Sequence, residues 1–207
     1  MTMLLTGSGP DIVVVATTTT WNPADASAKI TLTGGNLIAT ANAADAVGSA
    51  VRAVRSQTSG LRYAEFTATL VNAPTGNMSV GIANATAPIT GAILGGDVNS
   101  VGYYDNGTVY LNLVVVATLA TYVTGNVISM AVNSARTKIW FRVNAGGWNN
   151  DILANQNPAT DVGGISITAI TGPLFPATSL TNLNEAVTAN FGATAYAQSV
   201  PTGGTNW

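Results

Sequence analysis

Residues 101–112 read VGYYDNGTVYLN and contain the strongest local structural signal of this chain. The pair Asn106-Gly107 separates two runs rich in valine and tyrosine, which are residue types enriched in β-strands. Both residues of the pair tolerate the positive φ that a type I′ turn requires, and such turns join adjacent antiparallel strands. The stretch therefore predicts a β-hairpin with a type I′ turn.

Segments on both sides of this hairpin show the alternation of apolar and polar residues that is typical of strands. They are residues 29–40, which predict a second hairpin, residues 59–71, and the pair formed by residues 126–134 and 137–143. Residues 42–56 are rich in alanine and fit either a helix or a strand by period alone. We expect a strand there, because Gly48 interrupts the pattern and favours a start close to residue 49.

About a dozen short strands result, separated by Gly, Pro and Asn turns, and this organisation is typical of a β-sandwich or barrel. No linker or charge run divides the chain. The sequence thus predicts an all-β protein with a single antiparallel sandwich domain over residues 21–207. Residues 1–20 are expected to form an N-terminal arm or an extra strand.

The composition excludes several classes of function. The 207 residues contain no cysteine and no histidine, which argues against thiolate or imidazole zinc sites and Ser-His-Asp triads. Seven Lys and Arg and nine Asp and Glu give a net charge of −2, so the basic surface that nucleic acid or an anionic membrane requires is missing. We expect no metal, no cofactor, no nucleic-acid partner and no membrane partner.

The acidic residues do not form a catalytic pattern. Sandwich glycosidases place two carboxylates about 5–9.5 Å apart, usually from alternating positions of one strand. Here Glu65 and Glu185 fall on different predicted strands, and the aspartates stand singly in turns. The sequence predicts no catalytic residues and no enzyme. The expected partners of Glu65 are backbone donors or one of Arg52, Arg55 and Arg62.

Eight short elements follow one another in an order that resembles the SPRY-like (B30.2-related) domains of the concanavalin-like sandwich superfamily, particularly their bacteriophage and prophage versions. After Trp21 the elements are Val51-Arg52-Ala53, Ser59-Gly60 with Tyr63, Glu65 and Phe66, Val80 to Ala83, Ser100 to Tyr103, Gly125 to Val132, Ile139 to Asn144, Pro173 to Ala177, and Asn190-Phe191-Gly192 with Trp207. The resemblance spans residues 21–207 and implies a jelly-roll sandwich. Gly204 departs from it, since relatives usually carry a bulky apolar residue there.

The resemblance also implies a function. SPRY-like domains generally bind proteins or glycans through loops at one end of the sandwich and carry no catalytic apparatus. The corresponding loops here are residues 42–49, 72–77, 84–99 and 145–162. Phe191 and Trp207 are expected in the core, in the strand and turn that close the sandwich beside the N-terminal strand.

One loop is the best candidate for a binding site. Its residues, in the stretch NAGGWNND, are Trp148, Asn149, Asn150 and Asp151. A tryptophan between glycines and amides has no automatic burial, and exposed aromatic residues are frequent in binding sites. The alternative is that Trp148 folds back and covers the sheet.

The N-terminal arm is the candidate assembly segment. Its apolar, β-branched run is Ile12, Val13, Val14 and Val15, and an unpaired edge of this composition would be prone to aggregation. The run either adds a strand to its own sandwich or pairs with a neighbouring copy or another shell or tail protein. The second alternative would make the chain a homo-oligomer.

These observations together predict a non-enzymatic bacteriophage virion structural protein that acts by protein–protein interaction. It would be a capsid decoration, head-fibre or tail-associated subunit, with other virion proteins as partners. We expect it on the surface of the phage particle after synthesis in the host cytoplasm. The alternative is a carbohydrate-binding receptor-recognition module that contacts a host surface glycan.

Overall fold

The computed structural model describes residues 19–57, 59–73 and 75–207. These residues form fifteen strands and two short 3-10 helices, Trp148–Asn150 and Pro158–Thr160. The strands are β1 Trp21–Ala26, β2 Ile30–Thr33, β3 Ile38–Ala41, β4 Ser49–Ala53, β5 Leu61–Leu70, β6 Met78–Ala83, β7 Ser100–Tyr104, β8 Thr108–Leu111, β9 Val114–Thr118, β10 Val127–Val132, β11 Lys138–Val143, β12 Ile165–Ser166, β13 Phe175–Leu180, β14 Ala186–Asn190 and β15 Gly204–Asn206. Neither helix in this part of the chain is long and apolar enough to cross a membrane.

The strands form two sheets that pack face to face as a sandwich. The first has the order β1-β4-β13-β6-β7-β8-β9, and the second has the order β12-β11-β10-β5-β14-β3-β2. Neighbours within each order are antiparallel, while β15 joins the second sheet by pairing in parallel with the start of β5. The all-β sandwich predicted from the sequence is confirmed.

The predicted hairpins and strand pairs are present. β7 and β8 pair Tyr103 with Val109, and the β2–β3 and β10–β11 pairs are also formed. The alanine-rich segment becomes strand β4 from Ser49, as expected from the break at Gly48. The strand interpretation of residues 42–56 was therefore correct from residue 49 to residue 53.

The turn type predicted for Asn106-Gly107 is wrong. Only Gly107 has a positive φ, of 90°, and its amide donates a hydrogen bond to the carbonyl of Tyr104. The side-chain oxygen of Asn106 accepts a hydrogen bond from the Thr108 amide at 3.0 Å. This local bond satisfies the amide that follows the turn, so a single glycine in the left-handed region is sufficient.

Aromatic side chains fill the part of the core that lies near Trp21 and the C-terminal residues. The ring of Phe191 meets the ring of Trp21 edge to face at a centroid distance of 5.2 Å, and Trp21 stacks on Phe66 at 6.0 Å. Trp207 is also buried in this core, and its carbonyl accepts a hydrogen bond from the Thr19 hydroxyl at 2.8 Å. The predicted core positions of Phe191 and Trp207 are confirmed.

The path of the closing strand differs from the expectation. β15 pairs with β5 in the second sheet, whereas the N-terminal strand β1 pairs with β4 in the first. Contact with the N-terminal segment is made by the Trp207 carbonyl, through its hydrogen bond from Thr19, instead of by strand pairing. Ile12, Val13, Val14 and Val15 lie outside the described residues, so the predicted arm and its boundary at residue 20 stay predictions.

Candidate functional site

The candidate binding loop is anchored by a buried tryptophan. Trp148 is 5% exposed and lies on the outer face of the second sheet, where it packs with Tyr63 and Trp140. The guanidinium carbon of Arg142 lies 4.4 Å from the centre of the indole ring, a favourable cation–π geometry. The ring therefore covers the sheet, as in the second of the two alternatives considered from the sequence.

The other three residues of the loop have different roles. The Asn149 side chain accepts a hydrogen bond from the Phe141 amide and donates one to Gln156, which ties the loop to β11. Asn150 and Asp151 are exposed, and the Asp151 carboxylate accepts a hydrogen bond from the Ile152 amide. Of the predicted site residues, Asn150 and Asp151 are the ones whose side chains are available to a partner.

A cleft of ≈ 380 Å³ lies beside this loop. Arg142, Trp148 and Leu153 contribute to its wall, and the segment 199–202 closes the opposite side. The buried Nε of Arg142 has no hydrogen-bond partner among the residues that the structure describes. Because this Nε is buried, a ligand in the cleft does not reach it, and the buried indole face is not free for stacking either.

Glu65 and Glu185 each hold a loop in place. Glu65 is buried and accepts hydrogen bonds from the Tyr63 hydroxyl at 2.6 Å and from the amides of Ala197 and Gln198 at 2.7 and 2.8 Å. Burial, and then the bond to Glu65, raise the pKa of Tyr63 to about 12. Glu185 is buried and accepts hydrogen bonds from the amides of Thr181 and Asn182. The oxygens of both carboxylates are therefore occupied by structural hydrogen bonds.

The arginine partners suggested for Glu65 are not used. Arg52 forms a two-bond pair with Asp25, with both N–O distances at 2.7 Å. Arg62 donates to backbone carbonyls, including that of Asn206. Backbone amides, the other alternative, are the partners of Glu65, because the segment at residues 197 and 198 lies beside its carboxylate.

Asp105 is a buried carboxyl that offers a test by pH. Its Oδ1 accepts hydrogen bonds from the amides of Gly76 and Asn77, but its buried Oδ2 has no partner in the described part of the chain. Burial raises the pKa of Asp105 above its ordinary value of 3.8, and the two amide bonds only partly oppose this. The charged form is therefore less favourable in the folded protein than in the unfolded chain.

We expect Asp105→Asn to stabilise the protein relative to wild type increasingly as the pH rises. Between the unfolded pKa and the raised folded pKa, the folded wild type keeps a proton that the unfolded chain has released, so its free energy of unfolding falls with rising pH. Asparagine does not ionise, so the variant does not have this decrease in its free energy of unfolding. Urea unfolding of both proteins from about pH 3.5 to about pH 7 measures the difference. A difference that does not change with pH would contradict the raised pKa.

A second surface, not identified from the sequence, is formed by the β8–β9 hairpin. Four consecutive apolar residues, Leu113 to Val116, are 69%, 57%, 47% and 38% exposed. Strand β9 lies at the edge of the first sheet, where β8 is its partner. Leu113 also borders a groove of ≈ 380 Å³ together with the exposed Val47. The sequence signal was present in the uninterrupted apolar run, but only the sheet order places this run at an edge.

The turn of this hairpin is strained at its most exposed residue. Asn112 and Leu113 have φ values of 53° and 61°, so Leu113 occupies a left-handed position that usually carries glycine. A bulky residue costs about 1 kcal/mol or more there.

Leu113→Gly is expected to raise the free energy of unfolding by about 1 kcal/mol, because it removes this strain and creates the favoured Asn-Gly turn. Chemical unfolding measures the change. Val123→Gly is the control, since Val123 is also exposed but does not have a positive φ. The control should not gain stability. A loss of stability in Leu113→Gly would show that its side chain packs on its own sandwich.

Comparison with known proteins identifies the fold. No protein-family model matches the chain, and no curated protein matches it. Among solved structures, the SPRY domain of human HERC1 superposes with a TM-score of 0.64 at 16% identity, over 84% of this chain and 99% of that chain. The TRIM65 PSpry domain gives 0.59 at 14% identity, over 84% of this chain and 92% of that chain. Stonustoxin gives 0.58 at 16% identity over 84% of this chain, which matches 27% of the toxin chain.

These likenesses agree with the β-sandwich described above. The superpositions extend over most of this chain. At 14–16% sequence identity they establish the fold and nothing further. The chain has the SPRY-type β-sandwich fold.

Proposed function

We propose that this chain is a non-enzymatic structural protein of a bacteriophage particle that acts by protein–protein interaction, as a capsid decoration, head-fibre or tail-associated subunit. The observation that carries the interaction part is the exposed apolar run Leu113 to Val116 on a sheet edge. Soluble monomers protect such edges, and large exposed apolar patches usually mark interaction sites. The phage part is supported by the order of sequence elements that resembles phage SPRY-like domains.

Several further properties support this proposal. Charged residues make up 8% of the chain and its net charge is −2, and proteins of low net charge associate more readily than highly charged ones. The two glutamates accept hydrogen bonds from backbone amides, which leaves them poorly placed to exchange protons with a substrate. The proposed location is the particle surface, reached after synthesis in the host cytoplasm.

The second candidate function is recognition of a host surface glycan. The cleft beside Trp148, with Arg142 and the segment 199–202 in its wall, is the observation that favours it. Arg142→Ala would then abolish binding in a glycan array. Arg55→Ala is the matched control and would leave binding unchanged, because Arg55 is an exposed arginine that does not line the cleft.

The proposed function is tested on particles purified from the host that produces this protein. We expect mass spectrometry to find the wild-type chain in washed particles and low-resolution imaging to locate it on their surface. Val114→Lys should be lost from the particles, because it places a charge in the apolar run. Leu183→Lys is the control and should be retained, since Leu183 is comparably exposed in a loop distant in sequence. Absence of the wild-type chain from particles would contradict the proposal.

A further inference from the structure

The edges of the two sheets differ in how they are protected. β1 contains Pro23, Asp25 and an irregular register; β12 has two residues; β2 has four and directly follows Lys29. Prolines, charges, bulges and short strands are the devices that prevent edge-to-edge pairing. Three of the four strands that end the two sheet orders are therefore protected by a proline, a charged residue or a short length.

Strand β9 is the least protected edge. It has a register irregularity opposite Val109 and Tyr110, but neither a proline nor a charged residue. No charged residue occurs in the sequence between Asp105 and Arg136. A groove of ≈ 410 Å³ lies along this edge, bounded by residues 116–119 on one side and residues 164–166 on the other. The edge is thus uncharged, apolar and next to an open groove.

The N-terminal arm contains the same sequence as this edge strand. Residues 13–17 and residues 114–118 both read VVVAT. Short identical segments with high β-propensity and no charge pair readily with each other as strands. The arm therefore contains a segment that suits the free edge of β9.

The arm cannot supply this segment to β9 of its own copy. Thr19 is held by its hydrogen bond to the Trp207 carbonyl, next to β1, and β1 and β9 are opposite edges of the same sheet. Six strand intervals separate them, about 29 Å at about 4.8 Å each. Thr17 is two residues from Thr19, which gives a reach of about 7 Å. A second copy does not have this restriction.

We propose that residues 13–17 of one copy add as a strand to β9 of a second copy. The main-chain groups of the arm pair with the outer edge of Val114–Thr118, and the arm lies along the open groove beside it. Each copy has one arm and one β9, so two copies can exchange arms as a two-fold dimer, and successive copies can form a larger ring or an open chain. This inference rests on the proposed interaction function and names one partner of the same edge.

Analytical ultracentrifugation of the full-length purified protein tests the proposal. Wild type is expected to sediment as an oligomer. Val14→Pro removes an amide from the arm, and Val114→Lys places a charge on β9; each is expected to reduce the mass to that of a monomer. Leu183→Lys is the matched control and should keep the wild-type mass. Thermal unfolding of each variant verifies that the sandwich is intact.

A synthetic peptide of residues 11–18 then identifies the contact. It is expected to bind the full-length Val14→Pro chain and to lose binding when Val114→Lys is added. A monomeric wild type overturns the proposal. An oligomer that survives Val14→Pro but is lost in Val114→Lys also overturns it, because that result would indicate that β9 pairs with β9. An oligomer that survives Val114→Lys overturns it as well. Because self-association is measured without particles, its failure is distinguishable from failure of particle incorporation.

Discussion

Glu65→Ala is expected to lower the free energy of unfolding by about 3 kcal/mol or more, because three hydrogen-bond donors lose their acceptor at once. The donors are the Tyr63 hydroxyl and the amides of Ala197 and Gln198. These two amides belong to the segment before β15, so the change also releases the chain that leads to the closing strand. Urea unfolding followed by tryptophan fluorescence measures the loss.

Two further variants separate the bonds. Tyr63→Phe removes one of the three donors to Glu65 and should cost about 1 kcal/mol. Glu65→Gln keeps the size of the side chain with one acceptor oxygen, so its effect should fall between those of the other two variants. A Glu65→Ala protein as stable as wild type would show that water replaces the carboxylate without loss.

The same variants test the absence of enzymatic activity. We expect no turnover of cell-wall or capsule polysaccharide by wild type. Release of sugar ends that disappears in Glu65→Gln, with folding retained, would contradict the non-enzymatic proposal.

Trp207→Ala is expected to lower the free energy of unfolding by about 3–5 kcal/mol, which is the range for truncation of a large buried aromatic side chain. Trp207 is 7% exposed and belongs to the main core, and its Nε1 donates a hydrogen bond to the Arg55 carbonyl at 3.1 Å. The variant loses the apolar contacts and leaves that carbonyl without its donor. We expect the melting temperature to fall by roughly 10 °C.

Deletion of residues 201–207 should have a larger effect, since it also removes the pairing of β15 with β5. Val200→Ala is the control, because Val200 precedes the tail directly but is 38% exposed. This control should change stability by less than about 0.5 kcal/mol. A chain without its tail that melts at the wild-type temperature would show that the aromatic end does not close the core.

The candidate binding loop shows the limit of reasoning from residue type. A tryptophan that two glycines precede and two asparagines follow is compatible with either contact or cover, and its environment decides between them. Here Trp148 has Tyr63 at a centroid distance of 6.4 Å and Arg142 across its face, and these residues come from other strands. The sequence could identify the loop, but the role of each member depends on residues that are distant along the chain.

The sequence by itself determined where most strands lie and that they form an antiparallel sandwich. The physical reason is that these features are local: alternation sets which residues share a face, and Gly or Asn permits the turns. The order of short elements from Trp21 to Trp207 added the type of sandwich. The core positions of Phe191 and Trp207 followed from the same pattern, because large aromatic residues near a strand end are seldom left in water.

Only the tertiary structure decided which groups meet. Glu65 accepts hydrogen bonds from amides 132 and 133 residues away, and β15 pairs in parallel with β5 rather than beside the N-terminal strand. The apolar run Leu113 to Val116 reads like any buried strand, yet the sheet order leaves it at an edge. Strand neighbours and edges depend on pairing between distant segments, and the alternation within one segment is the same whether its edge is paired or free.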